Sequence, residues 1–172
     1  QRVLQATNSW LHAQNQRGDA RFNKDCGYVC TFSALLLKGR QLHLLHVGDG
    51  RVFRVHTRAL EQLTEDHRVQ VSSSESYLAR ALGVAAHVEI DYAAWEAEAG
   101  EVYLLATDGA HAFLDAEAVT AALVAHADDL DAAAAALARF ARARGSTDDI
   151  TVQLLRIDTL PREAGLRASL QR

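Results

Sequence analysis

The spacing of apolar and polar residues predicts four antiparallel strands between residues 28 and 63. Two apolar segments, residues 29–38 and 41–47, are separated by a tight glycine-containing turn, which favours a hairpin. Further turns lead to a third apolar segment at residues 51–56 and to a short fourth one at residues 60–63. We therefore predict that this part of the chain is a meander of four strands.

Helical periodicity occurs at the start of the chain and in its second half. Residues 1–15 carry apolar residues at helical spacing with no N-cap in front, so we predict the later part of a helix whose beginning is not in the sequence. Residues 116–126 and 130–144 are two further predicted helices. The second has aspartates near its start and arginines near its end, which complements the helix macrodipole.

Later apolar segments complete the predicted elements. Residues 88–92, 101–106 and 150–157 are predicted strands, and the polar residues 64–76 are predicted to form a short helix and an exposed loop. The order is strands first, then strands mixed with helices, without regular alternation. This order favours an α+β fold with antiparallel sheets over a doubly wound α/β fold.

Composition and charge exclude several classes of function. A chain of 172 residues fits one domain, and a net charge of -4 without a basic cluster argues against nucleic-acid binding. No apolar run approaches the roughly 20 residues of a membrane span, and no signal peptide is visible. Cys26 and Cys30 match neither a redox pair nor a zinc motif. We expect a cytoplasmic protein with free thiols and no membrane-bound part in this segment.

Three aspartates stand at the ends of apolar segments. Asp49 lies in the turn after residues 41–47, Asp108 follows residues 101–106, and Asp148 precedes the last strand. Carboxylates that converge at one sheet edge would suit a hard divalent cation such as Mg²⁺ or Mn²⁺. Each motif alone is also ordinary turn chemistry, so the residues by themselves leave a purely structural role open.

Five motifs in a fixed order resemble those of the protein phosphatase 2C family. Together they cover about residues 30–157, nearly all of the chain. The motifs are HVGDGR at 46–51, LTEDH at 63–67, YLARALG at 77–83, YLLATDG at 103–109 and STDDITVQLLRI at 146–157.

The resemblance implies a particular fold and domain organisation. It implies a four-layer αββα sandwich, in which two antiparallel sheets pack face to face and helices flank them. Residues 1–158 would form this phosphatase 2C-like domain with its N-terminal part missing. Residues 159–172 would form a linker or tail.

The resemblance also implies a binuclear Mn²⁺ or Mg²⁺ site at one end of the sandwich. By this correspondence, Asp108 and Asp148 are metal ligands, and Asp49 matches the aspartate of a weaker third metal. Gly109 and Asp149 would lie directly beside the ligands, with Asp149 where many relatives have Asn.

The implied reaction is hydrolysis of phosphoserine or phosphothreonine in proteins by a metal-activated water, with no catalytic side chain. Arg80 lies in the LARALG motif near the family's mobile flap, and it is predicted either to contact substrate phosphate or to form a structural salt bridge. His67 is predicted to be a local hydrogen-bonding residue, with a role as a base as the less favoured alternative.

Two departures from the family pattern leave a second function open. The DG-[HM]-GG turn that supplies the bridging aspartate is not in the sequence, and Gly50 stands where relatives usually have serine. The sequence as a whole is similar to the phosphatase half of bacterial bifunctional serine/threonine kinase/phosphatases, which predicts a phosphoprotein substrate and a tethered kinase domain as partner. The alternative is a catalytically incomplete module that binds or regulates a partner or a tethered kinase.

Overall fold

The computed structural model describes residues 1–17, 27–70 and 76–162, and this part of the chain forms four helices and nine strands. In chain order these elements are α1 (Arg2–Asn15), β1 (Phe32–Lys38), β2 (Gln41–Val47), β3 (Arg51–His56), β4 (Ala59–Gln62), β5 (Arg68–Gln70), β6 (Ser76–Leu78), β7 (Asp91–Glu96), β8 (Val102–Ala106), α2 (Asp108–His111), α3 (Ala116–Ala125), α4 (Leu130–Ala143) and β9 (Val152–Arg156).

The described strands form two main sheets and one small one. Their orders are β1-β2-β7, β4-β3-β8-β9 and β5-β6, and every pair is antiparallel. The four predicted strands between residues 28 and 63 are therefore present, but the prediction of one meander is wrong because β2 and β3 lie in different sheets. The chain changes sheets at Gly48, whose φ of 120° favours glycine and whose backbone lies too close to Thr31 for a side chain.

The two main sheets pack face to face through alternate residues of their strands. Leu42 of β2 and Tyr103 of β8 are both buried and belong to one apolar cluster, which Trp95 and Leu155 extend. Because side chains alternate across a strand, the next residue in β8, Leu104, points to the opposite face. There it joins a second cluster.

Helices α3 and α4 cover this opposite face of the β4-β3-β8-β9 sheet. Leu104 and Phe53 from the sheet pack with Val119 of α3 and Leu137 of α4. The carboxylate of Asp129 accepts a hydrogen bond from the Ala132 N–H at 2.8 Å and so caps the start of α4.

Helix α1 packs on the outer face of the other main sheet, at the end where Val47 lies. Leu4 and Leu11 of α1 pack against a cluster that contains Val47 of β2. The layers are therefore helix, sheet, sheet and helix, and the predicted four-layer αββα arrangement of an α+β fold is confirmed. Val3 and Trp10, which were also part of the apolar pattern of the helix, are 78% and 61% exposed.

Two predicted elements differ from the structure. The helix predicted within residues 64–76 is wrong, since residues 68–70 and 76–78 pair as β5 and β6. The strand predicted at residues 88–92 begins only at Asp91, because the residues before it turn towards α1, where Gln5 Nε2 donates to the Val88 carbonyl. Residues 18–26, 71–75 and 163–172, which include Cys26, part of the loop predicted within residues 64–76 and most of the predicted linker or tail, lie outside the described residues.

Contact with the domain continues past residue 158. Leu160 packs against the cluster around Leu42, and Arg40 Nη1 donates to the Pro161 carbonyl at 3.3 Å. The division into a domain at 1–158 and a tail at 159–172 stays a prediction. Within the described ranges, no helix has the length and apolar character that crossing a bilayer requires.

Candidate functional site

Two of the sequence motifs are held together by paired hydrogen bonds. The Gly48 N–H donates to His67 Nδ1 at 2.9 Å, and the His67 N–H donates to the Gly48 carbonyl at 2.8 Å. Three residues after Gly48, the Arg51 guanidinium donates hydrogen bonds to both carboxylate oxygens of Asp66, at 2.8 to 2.9 Å. These hydrogen bonds from Arg51 lower the pKa of the Asp66 carboxyl. The turn after β2 and the LTEDH segment therefore form one rigid unit.

Asp49 and Asp108 meet at this unit through one arginine. Arg68 Nη1 lies 2.8 Å from Asp49 Oδ2 and 3.4 Å from Asp108 Oδ2. The side chain of Asp49 is 15% exposed and that of Asp108 is 40% exposed, so the pair is sheltered on one side and open to solvent on the other. The two carboxylates thus share one positively charged nitrogen.

Asp148 lies beside the backbone that follows Asp108. A Cβ built on Gly109 would be 2.5 Å from the Asp149 carbonyl oxygen and 3.0 Å from the Asp148 Cβ. The hydroxyl of Thr107 donates to the Asp149 carbonyl at 3.2 Å. Only glycine at position 109 lets the two backbones approach this closely, so the structure brings Asp108 and Asp148 to the same end of the sandwich.

The turn that carries Asp148 is anchored from behind by polar side chains. Ser146 Oγ donates to the Gly109 carbonyl at 2.7 Å in a buried position. Arg142 donates from its two terminal nitrogens to the carbonyls of Ser146 and Asp148, at 2.7 and 3.0 Å. The backbone around Asp148 is therefore fixed by α4 and by the start of α2.

His111 supports Asp49 from inside the protein. Its Nε2 donates to the Asp49 carbonyl at 3.0 Å, which places the proton of the neutral ring on Nε2. Burial lowers the pKa of the His111 imidazole, so the ring stays neutral at pH 7. Nδ1 is buried and has no hydrogen-bond partner among the described residues.

Arg80 lies in a separate network with Asp91. Arg80 Nη1 donates to Asp91 Oδ1 at 2.6 Å, and His67 Nε2 donates to Asp91 Oδ2 at 2.8 Å. Burial raises the pKa of Asp91, but the hydrogen bonds from His67 and Arg80 outweigh it and leave that pKa below its usual value. This geometry favours the structural salt bridge for Arg80 and the hydrogen-bonding role for His67. Binding of substrate phosphate by Arg80 stays a prediction.

The carboxylate oxygens at this end of the sandwich form part of a ligand set that suits a divalent cation. Asp49 and Asp108 each direct a carboxylate oxygen at the same cationic nitrogen, and such oxygens are the donors that Mg²⁺ and Mn²⁺ prefer. In the part of the chain that the structure describes, no three Asp, Glu, His or Cys side chains gather closely enough to hold an ion by themselves. A bound ion would therefore need further oxygen ligands.

Sequence reasoning found the carboxylates of this site but not the residues that position them. The structure gathers Asp49, Asp108 and Gly109 with Asp148 and Asp149, and it places Arg80 in the network of Asp91 instead. Arg68 directly follows the LTEDH motif, and this position was the only signal that could have identified it. The other residues missed were Thr107, His111, Arg142 and Ser146.

Comparison with known proteins gives a family match and several structural matches. The family model described as Protein phosphatase 2C matches residues 1–154. Among curated proteins, none matches the chain.

Three solved structures illustrate the similarity. PppA, described as a key regulatory component of T6SS in Pseudomonas aeruginosa, is 25% identical with a TM-score of 0.74, and the match covers 89% of this chain and 66% of that one. The serine/threonine phosphatase PstP/Ppp of Mycobacterium tuberculosis is 27% identical with a TM-score of 0.71, over 88% and 68% of the two chains. The catalytic domain of PstP in complex with two manganese ions is 27% identical with a TM-score of 0.72, over 90% and 68%. The chain therefore spans about two thirds of the length of these proteins.

Proposed function

Because the chain belongs to the protein phosphatase 2C family, we propose that it is part of a metal-dependent enzyme that hydrolyses phosphoserine and phosphothreonine in proteins. The observation that carries this proposal is the convergence of Asp49, Asp108 and Asp148 at one end of the sandwich. A similar phosphatase catalytic domain has been solved with two manganese ions, which supports the same choice of cofactor.

Each residue of the site has a proposed role. Asp108 and Asp148 hold the cation pair through carboxylate oxygens, and Gly109 allows their two backbones to touch. Asp149 shapes the turn through its carbonyl, which accepts the Thr107 hydroxyl. When bound, two divalent cations neutralise phosphoryl charge and acidify a water molecule for attack on phosphorus. No covalent intermediate with a protein side chain is required.

The partners and location follow from the same proposal. The substrate is a phosphorylated protein, and a serine/threonine kinase domain in the same full-length protein is the partner that the sequence pattern predicts. A cytoplasmic location stays a prediction from the sequence.

The test is hydrolysis by the full-length protein of p-nitrophenyl phosphate and of a phosphothreonine peptide. We expect activity that requires Mn²⁺ or Mg²⁺, disappears with EDTA and falls at least about 100-fold in Asp108→Asn, since a metal ligand is lost. The matched control is Asp158→Asn, because Asp158 is exposed and pairs only with Arg156 among the described residues. Hydrolysis that persists in EDTA would contradict the proposal.

A second candidate function is supported by one observation. Within the described ranges, the acidic residues do not form a complete three-ligand site, as expected of a module that binds or regulates a partner without catalysis. If the full-length protein binds Mn²⁺ weakly or not at all and shows no hydrolysis, this regulatory function would replace the enzymatic one.

A further inference from the structure

The guanidinium of Arg68 occupies the space between two of the predicted metal ligands. Both Asp49 Oδ2 and Asp108 Oδ2 lie within 3.4 Å of the same atom, Arg68 Nη1. One positive charge therefore already bridges the two carboxylates, in the way that a bound cation would.

The position of Arg68 is set by bonds on both sides of it. The preceding residue, His67, is joined to Gly48 by two hydrogen bonds, and Gly48 directly precedes Asp49. Arg68 itself begins β5, where it pairs with Leu78 of β6. Residues 48–49 and 67–68 are thus held in a fixed register, and the Arg68 side chain needs only to extend from there to reach Asp49.

A divalent cation and Arg68 would compete for the same oxygens. A Mg²⁺ or Ca²⁺ ion takes oxygen ligands at roughly 2.0 to 2.6 Å, closer than a charge-assisted hydrogen bond of about 2.8 Å. An ion between Asp49 and Asp108 would therefore overlap Arg68 Nη1 and would also be repelled by its charge.

We propose that Arg68 is a resident cation that replaces the third divalent ion between Asp49 and Asp108. This inference rests on the proposed function and makes it more specific, because it assigns two divalent cations to the site rather than three. Asp49 then serves to hold Arg68, and one positive charge stays between the two carboxylates when the divalent ions are removed.

The test counts bound Mn²⁺ ions per chain in the full-length protein, by titration calorimetry and by elemental analysis after gel filtration. We expect Arg68→Gln to bind one Mn²⁺ more than the wild-type protein, and Arg68→Lys to bind the wild-type number. Adding Asp49→Asn to Arg68→Gln should remove the extra ion. Arg40→Gln is the matched control, because Arg40 forms an exposed ion pair with Glu96 away from the site.

A second variant keeps the test decisive if Arg68→Gln does not fold. Asp49→Asn alone should leave the number of bound Mn²⁺ ions unchanged, because Asp49 holds Arg68 and not an ion. If Asp49→Asn instead loses one Mn²⁺, or if Arg68→Gln binds the same number as the wild type, the inference is overturned while the proposed function stands. If neither the wild type nor any variant binds Mn²⁺, both fall.

Discussion

At the scale of single residues, the site depends on the absence of a side chain at position 109. Gly109 lies where a Cβ would be 2.5 Å from a backbone oxygen of Asp149, and backbone cannot move aside as a flexible side chain can. The Asp108-Gly109 dipeptide therefore does more than form a turn. It allows the segment with Asp148 to lie against the start of α2.

We expect Gly109→Ala to lower the free energy of unfolding by about 1 to 3 kcal/mol, because the added methyl group overpacks this contact. It should also weaken Mn²⁺ binding, since Asp148 must shift. Gly50→Ala is the control: its Cβ would meet its nearest neighbour at 3.6 Å, an ordinary contact, and should change stability by less than about 0.5 kcal/mol. Denaturant unfolding and calorimetry measure both effects. Equal stability of the two variants would refute this role for Gly109.

The charged residues of the site show what a sequence can and cannot reveal at this scale. Asp49 and Asp108 were found because each follows an apolar strand in a recognisable motif. Arg68 was missed because its partners are 19 and 40 residues away in the chain, and no local pattern records an ion pair over such a separation. The same holds for His111, which reaches back 62 residues to Asp49.

At the scale of elements, α1 is attached by polar as well as apolar residues. Asn8 is fully buried, and its amide donates to the carbonyls of Ala85 and Ala86 while its oxygen accepts from the Gly83 N–H. The segment at residues 83–86 has no strand or helix bonds of its own, so the side chain of Asn8 supplies partners for its backbone groups, among them the buried Gly83 N–H.

Replacing Asn8 should therefore detach the helix from this segment. We expect Asn8→Ala to lower the free energy of unfolding by about 2 to 3 kcal/mol, because the Gly83 N–H is left buried and unpaired. The neighbouring Ser9→Ala is the control, since Ser9 is exposed and bonds only to the Gln5 carbonyl within the same helix. Urea denaturation compares the two. A loss below about 0.5 kcal/mol in Asn8→Ala would show that the apolar contacts of α1 suffice.

Periodicity predicted most of the elements but not how they combine. The alternation in β1 to β4 was sufficient to predict strands, because one face of each is buried. It could not show that β2 and β3 separate into two sheets, since that depends on the backbone conformation at Gly48. The pairing of β5 with β6 was missed because the segment is polar and its apolar contacts are few.

At the scale of the whole molecule, the fold brings distant motifs to one end of the sandwich. About a hundred residues of chain separate the turn after β2 from the turn before β9, and the start of α2 lies between them in the sequence. These segments meet because the two sheets stack and α4 returns the chain to β9. The order of the five motifs predicted this arrangement by resemblance. Spacing alone could not have done so.

The central claim is that Asp108 and Asp148 hold a pair of divalent cations, and anomalous diffraction tests it most directly. Crystals of the full-length protein grown with Mn²⁺ should show two anomalous peaks about 3.5 to 4 Å apart. Both Asp108 and Asp148 should be within coordination distance of these peaks, and Arg68 should remain between Asp49 and Asp108. Crystals soaked in Mn²⁺ that show no peak beside either carboxylate would contradict the account.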